Sequence, residues 1–187
     1  MTATVTSKAE LIVAGFGGQG VLFAGQMLAQ AATGRYKYIS YMPSYGTEKR
    51  GGHSECTVVL SDEEIASPVL DQSESVLLLD SGQASTYEER VRPGGTLIVE
   101  KSGLTYQPQR TDIRFLPVSG LEIAVRAGGA MINNLIMLGV YTQLTQAVAA
   151  DLIVDEIKKQ AGDRAAVLTR NTEAFARGLE LGKTLAN

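Results

Sequence analysis

Apolar positions along this chain follow two rhythms that alternate over its first two thirds. Residues 10–15 form a short branched run without alternation, the pattern of a strand buried on both faces. From Val21 the period changes: Val21, Leu22, Gly25, Leu28, Ala29 and Ala32 fall on one helical stripe, with Gly34 as a C-terminal stop. Tyr36 to Tyr41 reads as a second strand ended by Pro43, and Pro43 to His53 as a long irregular segment. Glu55 to Leu60, Val76 to Leu79, Thr96 to Val99 and Ile113 to Leu116 read as further strands; a Pro93-Gly94-Gly95 turn leads into Thr96.

Ser119-Gly-Leu-Glu122 has capping-box spacing and is expected to open a helix. Beyond Gly128-Gly129 the pattern is helical to the end. One segment runs from Met131 to Gln146. A second, Ala150 to Ala161, has Asp151, Asp155 and Glu156 early and Lys158-Lys159 late, as the helix dipole favours. A third, starting after Asn171, carries Phe175, Leu179 and Leu185 on one face. The expected fold class is α/β: a single Rossmann-like open sheet with helices on both faces and a helical C-terminal third. One domain spans residues 1–187, with a polar tail over 1–9.

Composition narrows the chemistry. The net charge is −3 and aromatics make up 6 %, which gives nucleic acid or anionic lipid no basic field to bind. No apolar run approaches the roughly 18 residues of a membrane span, and residues 1–8 lack the apolar stretch of a signal peptide, so a cytoplasmic location is expected. One cysteine, Cys56, falls short of the about four thiolates an iron–sulfur cluster takes. One histidine, His53, makes a zinc site of this chain's own residues an unpromising idea, and no metal ligands are assigned.

The candidate chemistry lies in Leu11-Ile-Val-Ala-Gly15-Phe-Gly17-Gly18-Gln19-Gly20. A strand that runs into G-x-G-x-x-G and then a helix leaves backbone N–H groups unpaired at a helix head, where an anion or phosphate fits. A tight strand-to-helix packing with no ligand explains the same glycines, and both readings stand at this point. Conventional NAD binding is disfavoured, because no carboxylate lies between Glu10 and Glu48, where the second strand's ribose-binding acid should stand about 20 residues on. A P-loop fails too, since Val21-Leu22 replaces Lys and Ser/Thr.

A second mixed segment is Ser44-Tyr45-Gly46-Thr47-Glu48-Lys49-Arg50-Gly51-Gly52-His53. Arg50 suits bidentate binding of a phosphate or carboxylate, with Glu48 to orient it and Gly51-Gly52 to permit close approach. A solvated surface turn with a local Glu48–Arg50 pair is the bland alternative. Cys56 heads an apolar strand and reads as a buried core thiol, and His53 as a hydrogen-bonding residue rather than a base. No residue is assigned a catalytic role.

These two segments, with Ser61-Asp62, Ile65-Ala-Ser-Pro68, Val76-Leu-Leu-Leu-Asp80, Asn133-Asn134-Leu-Ile-Met-Leu-Gly139 and Asn171 to Gly178, resemble the gamma subunit of 2-oxoacid:ferredoxin oxidoreductases. The resemblance covers residues 10 to 180, with one departure at Thr47, where the family often has proline. It implies a subunit of a hetero-oligomer that decarboxylates a 2-oxoacid on thiamine pyrophosphate and passes the acyl group to coenzyme A. Thiamine pyrophosphate, Mg and iron–sulfur clusters would lie in partner subunits, and electrons would leave to ferredoxin or another acceptor. The residues implied to face the partner and the coenzyme A phosphates are Gly15, Gly17, Gly18, Gln19, Gly20, Ser44, Tyr45, Gly46, Glu48, Arg50, Gly51 and Gly52. Gly128-Gly129-Ala130, Met131 and Met137 are candidate docking elements.

Two alternatives remain at the level of sequence: a stand-alone Rossmann-like nucleotide-binding oxidoreductase, and a ligand-free structural adaptor. The 2-oxoacid is left open among 2-oxoglutarate, pyruvate, branched-chain and aryl acids, with a lean toward 2-oxoglutarate or an aryl acid.

Overall fold

The computed structural model describes residues 7–45 and 52–186. Strand β1 (Lys8–Phe16) leads into helix α1 (Val21–Ala31), and β2 (Tyr38–Tyr45) and β3 (His53–Ser61) follow. Next come β4 (Ser73–Leu78), α2 (Ala84–Glu88), β5 (Val91–Glu100) and β6 (Arg114–Val118). Helices α3 (Gly120–Arg126), α4 (Asn133–Thr145), α5 (Ala150–Ala161) and α6 (Ala165–Leu185) complete the chain. The six strands form one sheet in the order β2-β3-β1-β4-β5-β6. β1, β4, β5 and β6 run parallel, while β3 runs antiparallel to both β1 and β2. The carboxyl ends of β1, β2, β4, β5 and β6 therefore share one edge with the start of β3.

Alternation sorts the core into two layers. Leu11, Val13, Val58, Leu60 and Leu77 face the helical layer, where Met27, Leu28, Ile136, Ile153 and Phe175 close over them. Ile12, Ala14, Val59, Val76 and Leu78 face the other way, onto Ala84, Tyr87 and the partly buried Leu104, Tyr106 and Phe115. Helices thus sit on both faces as expected, but unequally. Among the described residues the second face has the short 3-10 turn Ser81–Gln83, the five residues of α2 and two irregular segments. Buried Glu88 pins one of these segments by accepting from the Gln109 and Arg110 amides at 2.9 and 3.0 Å and from the Tyr106 hydroxyl. In the helical layer α4 and α6 touch backbone to backbone: a Cβ on Gly178 would meet the Ile136 carbonyl oxygen and lie 2.9 Å from the Gly139 Cα.

Several sequence expectations move. β1 begins at Lys8, inside the expected polar tail; residues 1–6 lie outside the described residues. β2 does not end before Pro43 but runs through it to Tyr45, because β2 is an edge strand and a missing N–H is tolerated on its open side. The rest of the expected irregular segment, residues 46–51, lies outside the described residues. Pro93-Gly94-Gly95 is not a turn before a strand but an irregularity within β5, where pairing jumps from Ser73↔Val91 to Ser75↔Thr96. Ser119 is the N-cap of α3 yet makes no side-chain cap bond; the carboxylate of buried Glu100 takes the Leu121 amide at 2.8 Å instead. α6 starts at Ala165, well before Asn171. Met137 is core, whereas Met131 is 66 % exposed.

Candidate functional site

At the carboxyl edge, β1 ends at Phe16 and the chain turns through Gly17–Gly20 into α1. Gly20 is the N-cap with φ +80° and, lacking a side chain, caps nothing. The first intrahelical bond is Ala24 N–H to the Gly20 carbonyl at 3.0 Å. The amides of Val21, Leu22 and Phe23 ahead of it have no acceptor among the described residues, and neither have those of Gly18 and Gly20. Five donors without an acceptor among the described residues thus lie at or just before the positive end of an 11-residue helix, where a bound anion is stabilised.

The outer glycines are required by the protein's own side chains. A Cβ on Gly15 would collide with Oε1 of Gln19 and come within 3.1 Å of Leu79 and Val21. A Cβ on Gly20 would collide with the Asn134 amide, whose nitrogen donates to the Gly20 carbonyl at 3.3 Å. Gly18 is different: it is exposed, has φ +98°, and a Cβ there would meet nothing within 4 Å among the described residues. Gln19 folds back over Gly15. Its side-chain oxygen accepts from the Phe16 amide at 2.8 Å and its nitrogen reaches Asp80 Oδ2 at 3.5 Å. Asp80, at the tip of neighbouring β4, holds the Gly82 amide with its other oxygen at 2.9 Å.

The second segment meets this turn at its Gly52 end. Gly52 is buried and its carbonyl accepts from Gly17 N–H at 2.9 Å, while Ser44, near the end of β2, is exposed. Tyr45 closes β2. Gly46, Glu48, Arg50 and Gly51 lie outside the described residues. The topology also explains the absent ribose acid. The second strand in sequence is not the neighbour of β1; antiparallel β3 lies between them and brings Gly52 and His53 to that position.

Sequence reading does not connect His53 to its partners. Tyr87 Oη, from α2, sits 2.9 Å from His53 Nε2 and donates to Glu55 Oε2 at 2.6 Å. Arg90 forks onto both Glu55 oxygens at 3.3 Å and donates to the Leu70 carbonyl at 2.7 Å. With its proton given to Glu55, the Tyr87 oxygen accepts, which selects the histidine form carrying a proton on Nε2. Burial and then Glu55 push the Tyr87 hydroxyl above the ordinary tyrosine range. This network ties the start of β3 to α2, and beside it a cleft of about 550 Å³ is lined by Met42, Ser44, Val69 and Arg90. Cys56 is the core thiol expected: fully buried and pushed by burial to about 12. It is protonated at neutral pH and no nucleophile.

Residues 10–181 match the family model described as pyruvate ferredoxin/flavodoxin oxidoreductase. Among curated relatives, the 2-oxoglutarate synthase subunit KorC of Methanothermobacter marburgensis is 34 % identical over 183 residues, covering 93 % of this chain and 96 % of that one. Ketoisovalerate oxidoreductase subunit VorA of Methanothermobacter thermautotrophicus is 38 % identical over 132 residues, 71 % of this chain. The match spans only 27 % of the VorA chain. The fold also matches 2-oxoglutarate:ferredoxin oxidoreductase from Magnetococcus marinus with a TM-score of 0.86 at 20 % identity, over 96 % of this chain and 32 % of that one. The resemblance first carried by the two glycine-containing segments therefore holds along nearly the whole length: the chain belongs to the pyruvate ferredoxin/flavodoxin oxidoreductase family.

Proposed function

We propose that this chain is the gamma-type subunit of a multisubunit 2-oxoacid:acceptor oxidoreductase, and that its glycine turn holds phosphate groups of coenzyme A. The observation that carries the reading is the uncapped head of α1, with the amides of Gly18, Gly20, Val21, Leu22 and Phe23 unpaired among the described residues. An anion at that point replaces the missing acceptors and meets the helix dipole. Family membership supplies the chemical context, and the Magnetococcus marinus enzyme is described with coenzyme A and succinyl-CoA bound. Arg50 joins this reading on its sequence position beside Gly51-Gly52.

In the assembly so proposed, thiamine pyrophosphate, Mg and iron–sulfur clusters belong to partner subunits and supply decarboxylation and electron transfer to ferredoxin or another acceptor. This chain's own part is to bind and orient the acyl acceptor. A stand-alone dinucleotide enzyme is disfavoured by β3, which enters beside β1 without a carboxylate at its tip. The test is an oxygen-free isolation of this chain from its native cell, followed by native mass and an optical spectrum. A large complex with broad iron–sulfur absorbance and bound thiamine pyrophosphate is expected. A small homo-oligomer carrying nicotinamide or flavin overturns the proposal.

A further inference from the structure

We propose that Gln19 is a positioning residue: it sets the shape of the glycine turn and does not itself touch the bound anion. The inference rests on reading that turn as the anion site, and it reassigns one of the residues expected to bind. β1 keeps register with β3 to Phe16↔His53, but its pairing with β4 ends at Ala14↔Leu78, and the Gln19 side-chain oxygen accepts from the Phe16 amide at 2.8 Å. The side chain reaches back only because position 15 is glycine; a Cβ there would overlap Gln19 Oε1.

An amide side chain has two faces, and its environment fixes which is which. Asp80 Oδ2, at 3.5 Å, faces the Gln19 nitrogen, so the oxygen must turn toward Phe16. Asp80 is anchored in turn by the Gly82 amide at 2.9 Å. The Gln19 oxygen and one of its N–H groups are therefore engaged within the protein, and among the described residues the backbone amides of the turn without an acceptor are those of Gly18 and Gly20 and those at the head of α1. The chain Gly82–Asp80–Gln19–Phe16 links the tip of β4 to the tip of β1.

The experiment inverts the polarity of the pair. Gln19→Glu keeps an acceptor for the Phe16 amide but sets a second carboxylate against Asp80. Asp80→Asn keeps an oxygen for Gly82 N–H and turns a donor toward position 19. Amide hydrogen exchange of residues 16–20 is measured in the full chain without ligand, and coenzyme A is titrated onto the assembled complex. Q19A is expected to raise exchange and weaken coenzyme A binding about tenfold, the effect of losing one hydrogen bond that shapes the turn. Q19E is expected to do the same, and Q19E/D80N to restore both.

Two results overturn the inference. One is exchange unchanged by Q19A. The other is a Q19E/D80N complex with normal exchange that still binds coenzyme A as poorly as Q19E, which is what a glutamate facing the anion produces. Should the wild-type complex bind no coenzyme A, the reading of the site fails, and the exchange measurement alone still decides for or against Gln19.

Discussion

The Asn134 amide occupies the space a side chain at Gly20 would need, and its nitrogen donates to the Gly20 carbonyl at 3.3 Å. The head of α1 is thereby locked to the head of α4, and Gly20 is also held at φ +80°. Gly20→Ala is expected to destabilise the fold by about 2–4 kcal/mol through strain and overlap. Gly20→Ala/Asn134→Ala should lose less than the sum of its single changes, because removing the amide relieves the overlap. Denaturant unfolding of the four proteins measures this coupling.

The α4–α6 contact gives a second expectation, remote from the site. Gly178→Ala places a methyl on the Ile136 carbonyl and against Gly139, where only backbone is available to move. A loss of about 3 kcal/mol is expected, at the upper end of overpacking effects. The exposed Gly128→Ala, with nothing within 4 Å of the new methyl and φ +103°, should lose about 1 kcal/mol, from backbone strain alone. Thermal unfolding of both variants checks the ranking.

The Tyr87 network makes stability depend on alkaline pH. Its hydroxyl is raised above the ordinary value in the folded protein, by burial first and Glu55 second. The folded state therefore holds this proton more tightly than the unfolded chain does. The contribution is fully present below the unfolded value of about 10 and falls as pH rises beyond it. Unfolding free energy should decline above about pH 10, and Tyr87→Phe should flatten part of that decline while weakening the protein near neutrality. Stability measured from pH 7 to 11 for both proteins tests the sign.

Cys56 offers a chemical readout of the core. Its thiol, raised to about 12 by burial and packed against the helix backbone at Gly25, should resist iodoacetamide at pH 8. Labelling should follow global unfolding, rising in step with denaturant. Rapid labelling of the folded chain contradicts the placement of β3 beneath α1.

Local signals make the β1–turn–α1 unit readable from the chain: an apolar run, four glycines and a change of period, all within contiguous residues. The same holds for α4 and α5. What escapes depends on topology. Pattern alone cuts β2 short at Pro43 because proline is excluded from a central strand, and only the sheet order reveals that this strand lies at an edge. The capping box at Ser119 does not form: its side chain makes no cap bond, and Glu100, distant in sequence, takes the Leu121 amide. Tyr87 and Arg90 meet Glu55 across separations of 32 and 35 residues, and no spacing rule reports such meetings. Asp80 is visible as the end of a buried run, but its contact with Gln19 requires knowing that β4 lies beside β1.

Gly18 provides the most direct test of the proposed anion site. It is exposed in the turn, and a Cβ there meets no atom of the described residues within 4 Å. Asn and Asp both tolerate a positive φ and have the same shape, so a G18N and G18D pair isolates charge from strain. Coenzyme A should bind the assembled G18D complex about tenfold more weakly than the G18N complex, with equal stability and equal 2-oxoacid affinity. Identical coenzyme A affinities for the two variants would contradict a phosphate at the head of α1.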